Sequence, residues 1–205
     1  MSGFLIDDLA ALEALYGPVT PPSLAKEADH LHPVYARWIE QARFALLATS
    51  GPHGPDVSPR GDQGYLVRIV DAHTLLLPER RGNNRIDSLR NLVTDPRIAL
   101  IFLIPGVSET VRVIGRATIS ADPELCATFS MQGKAPRVVL VIAVEQVFFQ
   151  CAKALVRSKL WDPSLHVERA TLPTAGKILA EISGGKVGGD EHDRKAPERM
   201  WATIY

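Results

Sequence analysis

A chain of 205 residues, 46% hydrophobic and 22% charged, has enough apolar material to bury one substantial core and is too apolar for disorder. Its 23 Lys and Arg balance 23 Asp and Glu, so no overall field draws it to nucleic acid or to an anionic membrane, and any basic site must be local. No apolar run approaches the roughly 20 residues of a membrane-spanning helix.

The opening, MSGFLIDDLAALEALYG, lacks the basic start of a secretory leader. Cys126 and Cys151 share no metal-ligand spacing and read as buried free thiols, so a reducing, cytoplasmic setting is expected. Residues 6–16 form an amphipathic helical pattern stopped by Gly17-Pro18. A second helical stretch follows Pro21-Pro22, and a third opens at Pro33 and carries Tyr35, Trp38 and Ile39. Residues 1–40 are thus expected to be a helical extension.

At Arg43 the pattern changes. FALLATS has strand length, SGPHGP is a turn cluster and DVSPRG is a second strand, together a β-hairpin. LVRIV and HTLLLP follow, joined by Asp71-Ala72. The turn PERRGNNR then leads into a helix marked by Ile86, Leu89, Leu92 and Val93, with Asn83 or Asn84 expected as its N-cap. RIALIFLIP is apolar nearly throughout and predicts a central strand covered on both faces. ETVRVIGRATIS alternates as a half-buried strand does, Asp122 and Pro123 open a helix expected to run to about Met131, and Arg137 to Phe149 is a long strand.

Six or seven strands, mostly joined as hairpins with helices inserted, predict a mainly β fold with α: an antiparallel barrel over residues 41–162 with peripheral helices. No GxGxxG follows a strand and no GxxxxGK[ST] occurs, which disfavours a doubly wound dinucleotide fold and a P-loop. Residues 163–205 are expected to hold a helix from Thr174 to Ile182, then a mobile polar loop, GKVGGDEHDRKAPE. The end, MWATIY, should dock Trp201 and Tyr205 on the barrel or on a partner subunit.

Three segments carry candidate chemistry. Arg80, Arg81, Arg85, Arg90 and Arg97 crowd into nineteen residues holding three acids, Glu79, Asp87 and Asp95. With Asn83-Asn84 beside them at a strand-to-helix turn, they suit an oxyanion, since helix-start N–H groups and guanidinium groups both donate to one. Arg90 and Arg97 alone read as solvated surface. Ser58-Pro59-Arg60-Gly61 and the run from Gln150 to Trp161 are also polar and basic at strand ends, and each alone reads as a turn or a surface. Cys151 lies near Lys153, yet no nucleophile motif accompanies it. His30, His32, His53, His73, His166 and His192 show no metal-ligand spacing.

RGNNRIDSLRNLVTDPRIALIFLIPG followed by ETVRVIGRA, set between FALLATS, DVSPRGD and VFFQCAKALVRSKLW, resembles the split-barrel superfamily of pyridoxamine 5′-phosphate oxidase over roughly residues 40–162. The likeness is greatest to its bacterial FMN-binding branch. The resemblance implies a split β-barrel that binds FMN across the interface of a homodimer, with hydride transfer between flavin N5 and a small-molecule substrate. It implies that Ser58, Pro59, Arg60 and Gly61 run beside the isoalloxazine ring and that Pro78 and Glu79, with the turn and helix start that follow, approach the ribityl phosphate. Asn84 and Arg85 would hold the phosphate, and Thr110 would stand where the oxidase uses a glutamine. Gln150, Lys153, Arg157, Ser158 and Trp161 would close the site from the neighbouring subunit. Arg60 or Lys153 would stabilise charge at N1/O2 of the flavin.

The oxidase's Ser-Arg-Lys phosphate motif is Asn-Asn-Arg here, and RMWATIY does not match its substrate-binding Trp and Arg pattern, so the resemblance points to FMN rather than to vitamin B6 oxidation. A flavin carrier or sensor without turnover, and an F420- or haem-binding relative on the same barrel, are the alternatives.

Overall fold

The computed structural model describes residues 4–52 and 54–205; His53, in the first expected turn, lies outside the described residues. Strands β1 (Phe44–Gly51), β2 (Gly54–Gly61), β3 (Arg68–Asp71), β4 (Thr74–Pro78), β5 (Arg97–Leu103), β6 (Thr110–Ser120) and β7 (Val139–Gln150) pair antiparallel in one seven-stranded sheet, ordered β2-β1-β5-β6-β7-β4-β3.

The sheet is rolled. β2 is one edge strand and β4 lies next to the other edge, yet Arg60 on β2 is ion-paired at 3.1 Å to Glu79, just past β4. That contact is possible only if the two edges curl toward each other, so the fold is a split barrel, with the split bridged by side chains rather than by a backbone ladder.

Alternation along the strands fills the interior. Ala45, Leu47 and Thr49 of β1 and Ile98, Leu100 and Phe102 of β5 are buried, alongside Leu75, Val113 and Ile142. Each large aliphatic or aromatic side chain buried there contributes about 1.5–3 kcal/mol. β5 is not covered on both faces as expected: Ala99, Ile101 and Leu103, on its outer side, are only half-buried. In an antiparallel barrel only one strand face meets the core, and among the described residues nothing fully covers the other. β6 and β7 slip register between Ile114 and Gly115, and a side chain at Gly115 would run into the Ala143 carbonyl, so this bulge requires glycine.

The helices are α1 (Leu9–Tyr16), α2 (Pro21–Ala25), α3 (Pro33–Gln41), α4 (Asp87–Thr94), α5 (Pro123–Ala127), α6 (Lys153–Ser158), α7 (Ala175–Ile182) and α8 (Asp190–Ala202). Asp8 caps α1, which buries none of its residues. α3 buries Tyr35 and Ile39, and Ala28 exchanges backbone hydrogen bonds of 2.9 and 2.8 Å with Val147 of β7, which ties the extension to the barrel.

Three expectations are corrected. α4 starts later than the Asn83-Asn84 turn: the capping position is Ile86, in the left-handed region with φ 52°, and no side chain caps it. α5 stops at Ala127, where the chain tightens into three-residue turns (Phe129 N–H to the Cys126 carbonyl, Ser130 N–H to the Ala127 carbonyl), and Gln132 and Gly133, both at positive φ, then turn it back so that Met131 bridges Lys134. The polar run after Gly185 is not a loop but leads into α8. The Asp193 carboxylate accepts from the Gly176 N–H at 2.7 Å and from the Thr174 hydroxyl, while Asp190, Glu191 and Asp193 suit the positive end of the helix. Glycines that resembled linker signals are contact points: a Cβ at Gly176 or Gly188 would strike the facing helix backbone. Among the described residues no helix is long and apolar enough to cross a membrane.

Candidate functional site

The period of two along β2 sends Asp56, Ser58 and Arg60 to one face, while Pro55, Val57 and Pro59 point outward. Ser88, buried in the first turn of α4, meets them. Its hydroxyl donates to Asp56 Oδ2 at 2.6 Å, so the 2.8 Å contact between Ser58 Oγ and Ser88 Oγ must have Ser58 as donor. Ser58 in turn accepts from Arg60 Nη1 at 2.9 Å. The proton order of the chain Arg60–Ser58–Ser88–Asp56 is therefore fixed.

Across the split, Arg60 Nε donates to Glu79 Oε2 at 3.1 Å. Burial pushes the Glu79 carboxyl above its ordinary range, and Arg60 offsets part of that rise. A second bridge lies beside the first: Arg80 holds Asp62 at 2.7 Å and donates to the Phe129 carbonyl at 2.6 Å. Asp62 also accepts from Gln63 N–H at 2.7 Å and from the Tyr205 hydroxyl at 2.9 Å, which brings the last residue of the chain onto the barrel. Tyr205 is buried while Trp201 is exposed, and burial raises the Tyr205 phenol above its usual value.

These residues enclose a cleft of about 520 Å³ between the end of β2, the end of β4 and the start of α4. Its walls mix Ser58, Arg60 and Glu79 with Pro59, Leu66, Pro78, Leu89 and Ile204, and Arg81 and Arg85 stand at one side. The turn there is tightly wound: Asn84 and Ile86 both have positive φ, and Asn83 Oδ1 accepts from the Arg85 N–H at 3.1 Å. Arg85 is mostly exposed and bonded to Asp87 at 2.8 Å, leaving other guanidinium N–H groups to the cleft or to solvent.

Of the residues expected from sequence, Ser58, Pro59, Arg60, Gly61, Pro78, Glu79 and Arg85 line this cleft; Asn84 lines a neighbouring trough. Thr110, Gln150, Lys153, Arg157, Ser158 and Trp161 do not line it. Thr110 pairs with Gln150 where β6 begins, and Trp161 Nε1 donates to the Val107 carbonyl at 2.8 Å, so these lie in a separate group beyond the end of β7. Lys153, the other candidate for flavin N1/O2, is on α6 in that group. Cys151 is exposed just past β7 rather than buried, while Cys126 is buried.

The sequence reading missed Asp56, Ser88 and Ile204; it named Arg80 in the arginine cluster and expected Tyr205 to dock, but not that both would meet Asp62. Asp56 was visible in the D-x-S-x-R alternation; Ser88 and Tyr205 come from 32 and 143 positions away from their acceptors. His30 lies 5.9 Å from His73 and 6.2 Å from His32, ring to ring, but among the described residues no group of side chains could hold a metal.

The donor set fits a planar cofactor carrying a phosphate: apolar walls flank the cleft, hydroxyl and guanidinium groups face it, and the first turn of α4 presents amides that no preceding helical turn can satisfy. The volume is within the usual range for a small-molecule site.

No curated protein matches the chain. Among solved structures it is similar to a variant of HupZ from Group A Streptococcus, at 22% identity and TM-score 0.47, over 58% of this chain and 99% of that one. It is also similar to a Lactobacillus delbrueckii protein proposed to be a pyridoxamine 5′-phosphate oxidase, at 21% and 0.47, over 59% and 95%. A third is an FMN-binding protein from Syntrophomonas wolfei, at 11% and 0.43, over 70% and 97%. The family assignment rests on the sequence match instead. The pyridoxamine 5′-phosphate oxidase family model covers residues 31–151, more than half of the chain and all of the cleft except Ile204. The chain belongs to the pyridoxamine 5′-phosphate oxidase family.

Proposed function

We propose that the chain binds FMN in the cleft between β2, β4 and α4 and acts as an FMN-dependent oxidoreductase on a small substrate. The observation that carries this reading is the meeting of Ser58, Arg60 and Ser88 with the turn before α4 across the split of a family-matched barrel. In it, Arg85 and the first-turn amides of α4 hold the phosphate, while Leu66, Leu89 and Ile204 flank the ring and the β2 backbone at Pro59 runs beside it. Arg60, fixed by Glu79 and Ser58, offers its positive charge to the polar edge of the ring. FMN, when bound, supplies the hydride chemistry; the protein's part is to bind, orient and exclude water.

The working unit in this reading is a homodimer. The outer side of β1 and β5 leaves Phe44, Leu46, Ile101 and Leu103 incompletely covered, an apolar strip suited to an isologous contact. The separate group from Thr110 to Trp161 is then available to the partner's cleft. The test is optical. Purified protein should carry the two visible bands of oxidised flavin, bleached anaerobically by NADH or NADPH. Flavin that neither donor reduces would favour a carrier, and a colourless protein with no affinity for FMN would overturn the reading.

A further inference from the structure

The N-terminal arm packs on nothing in its own chain. Every residue from Phe4 to Pro22 is exposed, although Leu5, Leu9, Leu12, Leu15, Tyr16 and Val19 are large and apolar. α1 is nonetheless formed, with the Asp8 carboxylate accepting from the Ala10 and Ala11 N–H groups. A helix of this length is marginal in water without tertiary support, and an apolar surface of this extent marks a contact with another molecule. The arm leaves the barrel at β7: Ala28 pairs with Val147, and the Lys26 ammonium lies 5.1 Å from the centre of the Phe149 ring.

A matching surface begins just past the end of β7. α6 and the residues after it expose Val156, Leu160, Leu165, Val167 and Leu172, and every residue from 163 to 175 is exposed. The charges of the two surfaces are opposite. Residues 4–25 carry Asp7, Asp8 and Glu13 and no Lys or Arg, whereas residues 153–172 carry Lys153, Arg157, Lys159 and Arg169 against Asp162 and Glu168. Among the described residues none of those four cations is in an ion pair. Both surfaces spring from β7, yet in the single chain neither covers the other. An acidic arm is repelled by an anionic lipid surface, so its complement is a basic, apolar protein face. We propose that the arm of residues 4–22 docks on the 153–172 segment of a second copy of this chain, α1 lying across α6 with Asp7 and Glu13 against Lys153, Arg157 and Lys159. This rests on the dimeric reading above and extends it: α6 belongs to the group available to the partner's cleft, and the arm holds that segment in place.

The experiment couples carboxylates to lysine amines on the full chain with a zero-length carbodiimide, followed by a denaturing gel and mass spectrometry of the linked peptides. A covalent species of twice the chain mass should form, in which Asp7, Asp8 or Glu13 of one copy is joined to Lys153 or Lys159 of the other. Lys153→Arg with Lys159→Arg keeps the charge but removes the amines, so most of the covalent dimer should be lost while light scattering still gives a dimer. Leu9→Asp with Leu12→Asp alters only exposed residues of the arm, which leaves the barrel folded. The covalent yield should then fall about tenfold or more, since each leucine buried by docking is worth at least about a factor of ten. Arm-to-α6 links confined to the single-chain band, no such links at all, or an undiminished yield in the leucine variant would overturn the proposal and leave the dimer standing. A chain that is monomeric by light scattering would overturn both.

Discussion

Arg60 makes hydrogen bonds to Glu79, Ser58 and the Pro59 carbonyl, which fixes a long side chain inside a cleft. Its charge is also what holds Glu79 down against burial. Arg60→Met should therefore raise the Glu79 carboxyl further, as read by NMR titration; an unchanged titration would separate the two residues. The sign for stability follows. A carboxyl whose folded pKa is raised above 4.5 binds its proton more tightly when folded, so its contribution is most favourable at low pH and is lost as pH rises through the folded value. Ser88→Ala would leave the Asp56 carboxylate without its donor and the Ser58 hydroxyl without its acceptor in a half-buried place, at a cost of about 1–3 kcal/mol in urea denaturation. At this scale the sequence was legible where spacing carries the geometry, as for Ser58 and Arg60 on one strand face. It was silent where tertiary contact decides, as for Ser88 and for the choice of Asp62 as the acceptor of the docked Tyr205.

At the scale of elements, strands were easier to read than helix boundaries. Apolar alternation is tied to burial, so β1, β5, β6 and β7 were visible in the pattern. The start of α4 was not, because Asn84 and Ile86 take the left-handed region, which composition does not announce. α8 was hidden for another reason: Gly184, Gly185, Gly188 and Gly189 signal a flexible loop in sequence, while Gly188 is required by the close approach of α7. Two glycine substitutions separate these roles. Gly115→Ala should cost the whole barrel about 1–3 kcal/mol, since the Ala143 backbone lies against the site with nowhere to move. Gly176→Ala should instead speed hydrogen exchange in α7 and α8 while leaving β5 and β6 protected; uniform loss of protection would mean that the hairpin and barrel unfold as one unit.

For the whole molecule, the count of strands and their hairpin connections predicted the rolled antiparallel sheet, and the family follows from the match over residues 31–151. What the sequence did not convey is how the split is bridged. The split is held by Arg60–Glu79 and Arg80–Asp62, pairs 19 and 18 positions apart whose meeting depends on how the sheet curls. Light scattering should give twice the 22.4 kDa chain mass, and Leu46→Asp with Ile101→Asp should give a monomer that has lost flavin affinity. A wild-type monomer that binds flavin fully would remove the dimeric site.

The central claim is that FMN sits with its phosphate at the turn before α4. Its most direct test is titration of the FMN-free protein with FMN, following flavin fluorescence, in the wild type and in Arg85→Ala. The account predicts saturation at one FMN per chain and a loss of about tenfold in affinity on removing this one charge-assisted contact. Undiminished affinity in Arg85→Ala, or no saturable binding in the wild type, would contradict it.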